Sequence, residues 1–262
     1  MVTKNDIKLL LESLGIKSDD TVMVHSSMRS TGGVEGGCDA LIDAFTEYLC
    51  DGLFLVPSHT WDRVNPETPL FDVKNTMPCT GALTVVATGR KDGIRSLHPT
   101  HSLVAFGERA KEFVRGEENA HSPCPPGGCW ARLYDEKAKI ILLGVTHTRN
   151  TFIHAVDEMI DYPGRLCENP FEITIVDYEG NEMKTIFRHH KAPISEYYQN
   201  FKKPLEMLGA VTYAKLGDAT VYCCDAVKLA DILKHIIKKS DHDLCTRDEE
   251  IPYEWYCGFE DV

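Results

Sequence analysis

The sequence has no Cys-x-x-Cys pair and no uninterrupted apolar run approaching ~20 residues, so zinc-ribbon and membrane-helix readings fall away first. It is short of basic residues: 28 Lys plus Arg stand against 40 Asp plus Glu, a formal charge of -12. That balance repels nucleic-acid phosphates and anionic lipid, and it is compatible with a cationic small molecule as partner. Two phosphate fingerprints are missing as well. There is no G-x-G-x-x-G in frame and no Gly-Lys-Ser, which disfavours dinucleotide and P-loop sites. No internal repeat is visible. What is present, 43% hydrophobic and 26% charged residues over 262 positions, can bury a sizeable core. The ten cysteines show no ligand-like grouping and read as reduced thiols. The first twenty residues are broken by Lys, Glu and Asp before a signal-peptide core can form. One domain over 1–262 in the cytoplasm is therefore expected.

The local patterns alternate. Thr3 and Asp6 suggest a capping box for a helix over about 4–14, stopped by Gly15. TVMVH reads as a strand, opening onto a Gly/Ser/Thr loop from Ser26 to Gly37 and then an amphipathic helix, CDALIDAFTEYL. LFLVP at 53–57 completes a β-α-β unit whose short apolar strands suggest parallel pairing in a sheet covered on both faces. Residues 58–79, with three prolines, read as a surface loop. A helix near 80–89, a strand at 101–106 and a short helix at 107–115 follow, and KIILLGV at 139–145 is the clearest buried strand. It leads into a helix, NTFIHAVDEMIDY, that Asn150 or Thr151 can cap. Two hairpins are expected, around 179–182 and around Gly217-Asp218, then a last helix from Ala226. The acidic, aromatic tail, 241–262, reads as packed on its own domain, with a lid or a dimer contact as alternatives.

Three groups of residues can carry chemistry. The Ser26–Gly37 loop, lying between strand and helix, can offer N–H groups and hydroxyls to an anion at a helix N-terminus, or be an ordinary Gly-rich turn. His98 and His101, three apart beside Pro99, suit either metal ligation or hydrogen bonding within the structure. His154 and Asp157 share a helix face, where a carboxylate can orient an imidazole as general base or form a plain ion pair.

Taken in order, VMVHSSMRSTGGVEGG, VPSHTWD, HPTHSLVAFG, ILLGVTHTRNTFIHAVDE and VTYAKLGDA resemble the motifs of the aminoglycoside 3-N-acetyltransferase family, also called the antibiotic N-acetyltransferase family. The resemblance implies an α/β fold, a three-layer α/β/α sandwich with a largely parallel central sheet plus antiparallel hairpins. It also implies acetyl-CoA as co-substrate, no metal, and direct transfer to an amine in a ternary complex. By that resemblance Ser26, Ser27, Met28, Thr31, Gly32, Gly33, Val34, Gly36 and Gly37 hold coenzyme A, and His154 is the general base. His98 shapes the site, and Asp62 with Trp61 faces the acceptor. Thr151 and nearby N–H groups are candidate oxyanion donors. The family glutamate aligns with Asp157, one methylene shorter, so either Asp157 or the adjacent Glu158 supports His154 or binds the amine. The stretch between Asp62 and His98 is short for the family, which leaves an aminoglycoside, a smaller amine or an arylamine as acceptor. Two other readings compete. One is a metal-dependent hydrolase built on His98, His101, His121 or His147 with Asp62; the other is a coenzyme A-binding protein without catalysis. If His154 titrates near 6.5, transfer is expected to rise with pH through that region.

Overall fold

The computed structural model describes residues 1–191 and 194–259; the last three residues of the expected tail lie outside them. In chain order the elements are α1 (Lys4–Ser13), β1 (Thr21–Ser26), α2 (Gly37–Tyr48), β2 (Leu53–Pro57), β3 (Leu70–Asp72), α3 (Ala82–Gly89), β4 (Ile94–Arg95) and β5 (Leu103–Phe106). They continue as α4 (Ala110–Phe113), α5 (Cys129–Asp135), β6 (Lys139–Leu143), α6 (Phe152–Met159), β7 (Phe171–Val176), β8 (Glu182–Phe187), α7 (Lys202–Met207), β9 (Val211–Leu216), β10 (Ala219–Asp225) and α8 (Ala226–Ile237). The capping box forms in both directions: Thr3 accepts from the Asp6 N–H, and Asp6 accepts from the Thr3 N–H.

Seven strands make the central sheet in the order β4-β5-β2-β1-β6-β10-β9. Parallel pairing is confined to its middle, where β1 takes β2 on one side and β6 on the other. The outer pairs are antiparallel, including the expected β9–β10 hairpin. The period-2 alternation of strands sorts side chains between two faces. Val22, Val24, Phe54, Val56, Ile141 and Leu143 pack under α1, α2 and α3. Met23, Leu55, Ile140 and Leu142 pack against α5, α6 and α8 on the other face. A sheet buried on both sides explains why these strands read as continuous apolar runs. The α/β/α sandwich follows.

The other hairpin, β7–β8, leaves this sheet. It joins β3 in a separate three-stranded sheet over Val64, Phe71, Ile173, Ile175 and Phe187. The 58–79 stretch is therefore not purely irregular. Arg95, 3% exposed, holds it in place by donating to the carbonyls of Ser58, Val73 and Thr76 at 2.7–3.1 Å. Leu244, Cys245, Ile251 and Tyr256 of the tail enter the core beside α8. All ten cysteines are free thiols, and no helix among the described residues is long and apolar enough to cross a membrane.

Candidate active site

Three segments leave the C-terminal ends of the parallel strands at one edge of the sheet: 26–37 after β1, 58–79 after β2 and 144–151 after β6. Because the chain runs from β1 to β2 on one side and returns to β6 on the other, β1 is the switch point where such sheets open a crevice. Ser27 fixes the first segment to the third by donating its N–H to the Leu143 carbonyl at 2.8 Å. The two then touch. Gly144 has φ 65, and a Cβ there would lie 2.5 Å from Ser30 Cβ. Gly144→Val is expected to push Ser27–Thr31 away from β6 and lower the melting temperature, as calorimetric scans would read.

Hydrogen bonds divide the Ser26–Gly37 loop. Ser26, Ser27 and Met28 stay half-buried at the sheet edge. Ser30 Oγ donates to Ser27 Oγ at 2.7 Å, and Thr31 Oγ1 donates to the Met28 carbonyl at 2.8 Å. Gly33 is used differently: its N–H donates to Thr31 Oγ1, and its carbonyl accepts from the Val2 N–H. Val34 bridges to Val2 as well. Gly32, Gly36 and Gly37 are exposed, and no side chain caps the N-terminus of α2. The loop therefore presents hydroxyls at its first half and, past the Gly37 N–H that donates to the Val34 carbonyl at 2.9 Å, a helix N-terminus without a side-chain cap at its second. An open cleft of about 520 Å³ lies behind it, between α1 and the β9–β10 turn, and touches it only at Thr31 and Gly32. It is distinct from the crevice.

Across the crevice stands α6. His154 is half-buried on it, and its Nδ1 is 2.7 Å from Tyr198 Oη. Its ring stacks on His190 with centroids 4.2 Å apart and an interplanar angle of 25°. Burial above all, with the neighbouring His190 and His59 rings and the Arg165 guanidinium disfavouring a further positive charge, holds the His154 pKa well below 6.5. The expected rise in rate near 6.5 is corrected accordingly: the imidazole stays neutral as pH falls until well under that value.

Asp157 and Glu158 resolve differently from the expected His154 contact. Asp157 points to the core face of α6 and is 1% exposed. Its Oδ2 accepts from Arg165 Nε at 2.7 Å, and Arg165 Nη1 also donates to Asp243 of the tail. Burial pushes the Asp157 carboxyl above the usual range, against the pull of the guanidinium. Glu158 accepts from Ser122 Oγ and from the Cys124 N–H at 2.8 Å, and it lies 2.9 Å from His190 Nε2. Among the described residues, its link to His154 runs through the stacked His190 ring. An i+3 position on a short helix thus led into the core rather than along the imidazole.

His98 is fully buried. Its Nδ1 accepts from the N–H groups of Thr100 and His101, so its Nε2 carries the hydrogen and donates to the Ser122 carbonyl at 3.0 Å. Neither nitrogen is left for proton transfer or a metal, and the ring shapes the turn instead. Among the described residues no set of three or more His, Cys, Asp and Glu is spaced to hold a metal ion. His147 lies under Tyr222, 5.7 Å between ring centroids, and His121 is exposed. Trp61 and Asp62 are exposed in the segment after β2, with Trp61 49% exposed and Asp62 3.4 Å from Arg63.

Several site residues carried no signal in local sequence. Trp130 on α5 donates its indole N–H to the His101 carbonyl at 2.8 Å and packs on His25 and His59, centroids 5.8 and 5.4 Å away. His59 lies 4.8 Å from His101 by centroids, and His101 neighbours His154 and His190. Burial lowers the pKa of His25 to about 3, and lowers those of His59, His98 and His101. These groups are neutral when folded and near 6.5 when unfolded, so their contribution is present above pH 6.5 and lost as pH falls below it. The melting temperature is expected to drop steadily from pH 7 to 5; calorimetric scans would show it.

A family model described as aminoglycoside 3-N-acetyltransferase matches residues 23–238. The SPbeta prophage-derived aminoglycoside N(3')-acetyltransferase-like protein YokD of Bacillus subtilis (strain 168) is 29% identical over 189 residues, 61% of this chain and 66% of its own. An aminoglycoside N(3)-acetyltransferase III of Salmonella sp is 28% identical, covering 63% of each chain. The alignments thus span less than two thirds of these relatives' length. In three dimensions the chain resembles aminoglycoside acetyltransferase AAC(3)-IIb with a TM-score of 0.77 at 21% identity, covering 91% of this chain and 98% of that one. It resembles AAC-IIIb, solved as a binary complex with CoASH, with a TM-score of 0.75 at 22% identity, covering 88% and 94%. Matched over most of its length, with the motif-bearing segments gathered at one sheet edge, the chain belongs to the aminoglycoside 3-N-acetyltransferase family.

Proposed function

We propose that this protein is an acyltransferase that moves the acetyl group of acetyl-CoA to a primary amine of a small molecule, with His154 as general base and both substrates bound together. The acceptor is an aminoglycoside or a smaller amine or arylamine meeting Trp61 and Asp62. The observation that carries the reading is the setting of His154. It projects half-buried from the helix after β6, its Nδ1 2.7 Å from Tyr198 Oη, with no hydrogen bond to its Nε2 among the described residues. Burial keeps the Tyr198 phenol protonated by raising its pKa well above 10. Catalysis by His154 requires the tautomer in which Nδ1–H donates to Tyr198 Oη, so that the lone pair lies on Nε2, where a base is needed.

The hydroxyls of Ser26 and Ser27 and the uncapped N-terminus of α2 suit a phosphorylated, polar chain such as coenzyme A. The amine nitrogen forms a bond to the thioester carbon while His154 takes its proton; the tetrahedral species collapses, the C–S bond breaks and the thiolate departs.

Thiol release from acetyl-CoA is expected only when an amine is present, with the acetylated amine found by mass spectrometry. Release without acceptor, or none with a panel of aminoglycosides, arylamines and aliphatic amines, would overturn the reading. The kcat profile is expected to lose activity only well below pH 6.5, because the base has a lowered pKa. Tyr198→Phe is expected to cost about 2–10-fold in kcat, one neutral hydrogen bond of ~0.5–1.5 kcal/mol.

A further inference from the structure

Three residues before His154, and on the same helical face, lies Thr151, 8% exposed and in helical backbone geometry with φ -60 and ψ -23. Residues so spaced hold their Cβ atoms about 5–6 Å apart. One acyl carbon can therefore have its attacking nitrogen near His154 and its oxygen near Thr151. Thr151 Oγ1 is 3.0 Å from His59 Nε2. The other nitrogen of that imidazole, His59 Nδ1, is buried with no hydrogen-bond partner.

That orphaned atom decides the direction of the hydrogen bond. If Nδ1 carried the hydrogen, a buried N–H would go unpaired, and Nε2 would consume the threonine hydroxyl hydrogen. If Nε2 carries it, only a lone pair goes unpaired, which folded proteins tolerate better than an orphaned N–H. His59 then donates to Thr151 Oγ1, whose single hydrogen stays available to a third group. The ring packs against Trp130 and His101, and the Cys79 N–H fixes its backbone by donating to the His59 carbonyl at 2.7 Å.

Resting on the acetyl-transfer reading above, we infer that Thr151 is a catalytic residue that donates its hydroxyl hydrogen to the thioester carbonyl oxygen as it becomes an oxyanion, and that His59 is the positioning residue that keeps this hydrogen free. As the amine nitrogen bonds to the carbonyl carbon, the π pair moves onto that oxygen, where the Thr151 hydroxyl meets it. His154 receives the amine proton. On collapse the C=O bond re-forms, the C–S bond breaks, and the thiolate takes the proton from His154.

The test uses the full chain and an amine that the wild-type protein acetylates. Thr151→Val, which keeps the shape without the hydroxyl, is expected to lower kcat about 10²–10³-fold, with the KM for the amine and the Kd for coenzyme A little changed. Thr151→Ser is expected to stay within about tenfold of wild type. His59→Leu is expected to fall in kcat, and His59→Gln, which restores an N–H donor, to recover part of the loss. In infrared spectra of bound [1-¹³C]acetyl-CoA, the carbonyl band is expected at lower wavenumber in wild type and Thr151→Ser than in Thr151→Val. A Thr151→Val protein with near wild-type kcat, or a band at the same position in all three, would overturn the inference. If Thr151→Val does not fold, Thr151→Ala takes its place in the infrared measurement, and a band at the wild-type position there overturns the donor role of Thr151, while an unshifted band in His59→Leu overturns the positioning role of His59. The infrared measurement needs no turnover: a wild-type protein that acetylates nothing defeats the acetyl-transfer reading, while the band still reports whether Thr151 donates.

Discussion

Replacing His154 with alanine is expected to lower kcat by about 10²–10⁴-fold, the range a positioned general base contributes. The Kd for coenzyme A, measured by calorimetry, is expected to change little. His154 projects from α6, whereas the hydroxyls and N–H groups suited to the cofactor belong to the loop between β1 and α2. Truncation also removes the ring stacked on His190 and leaves the Tyr198 hydroxyl without its partner. Part of any loss could therefore be structural. His154→Gln, which keeps a polar side chain of similar reach but cannot take the proton, separates the two: it is expected to be as inactive as alanine. Full activity in either variant would remove His154 from the chemistry.

Arg165→Met is expected to destabilise the fold by about 3–5 kcal/mol, the cost of leaving a buried charge without its partner. Asp157 would then lie at 2% side-chain exposure with its ion pair gone. The pH dependence identifies the cause. Without the guanidinium, the folded-state pKa of Asp157 rises further above the unfolded value of about 3.9. A raised carboxyl penalises folding as pH climbs from that value through the folded one, so the variant's deficit is expected to be smallest in acid and largest near neutrality. The double variant Asp157→Leu/Arg165→Met, which removes both buried charges, is expected to recover much of the loss. Denaturant titrations at pH 5 and pH 7.5 would measure both effects, and a pH-independent deficit would argue for lost packing instead.

These two residues also show how far sequence reasoning reached. The position of His154 was legible because strand, loop and helix follow one another within a few residues, each with its own local signal. The partner of Asp157 was not, since Arg165 Nη1 closes its bracket on an aspartate 78 residues away. Helical spacing placed Asp157 and His154 on one face, but it could not tell a core-facing edge from a crevice-facing one. The same limit hid β3: three residues in a proline-containing loop give no period, and only pairing with β7 makes them a strand. His59 and Trp130 meet through folding alone. A histidine two residues after the end of β2, at the C-terminal edge of a parallel strand, was the one available hint.

The bracket formed by Asp157, Arg165 and Asp243 has a consequence for the newborn chain. Ribosomes add about 5–20 residues per second, so Asp243 is made about 4–16 s after Arg165. Until then Asp157 of α6 and Arg165 lack the third member of their bracket. The bracket that seats α6 in the core is thus completed by a residue 78 positions after Arg165. A translation pause placed between these two codons would lengthen the life of a nascent form in which α6 lacks the last contact of this bracket.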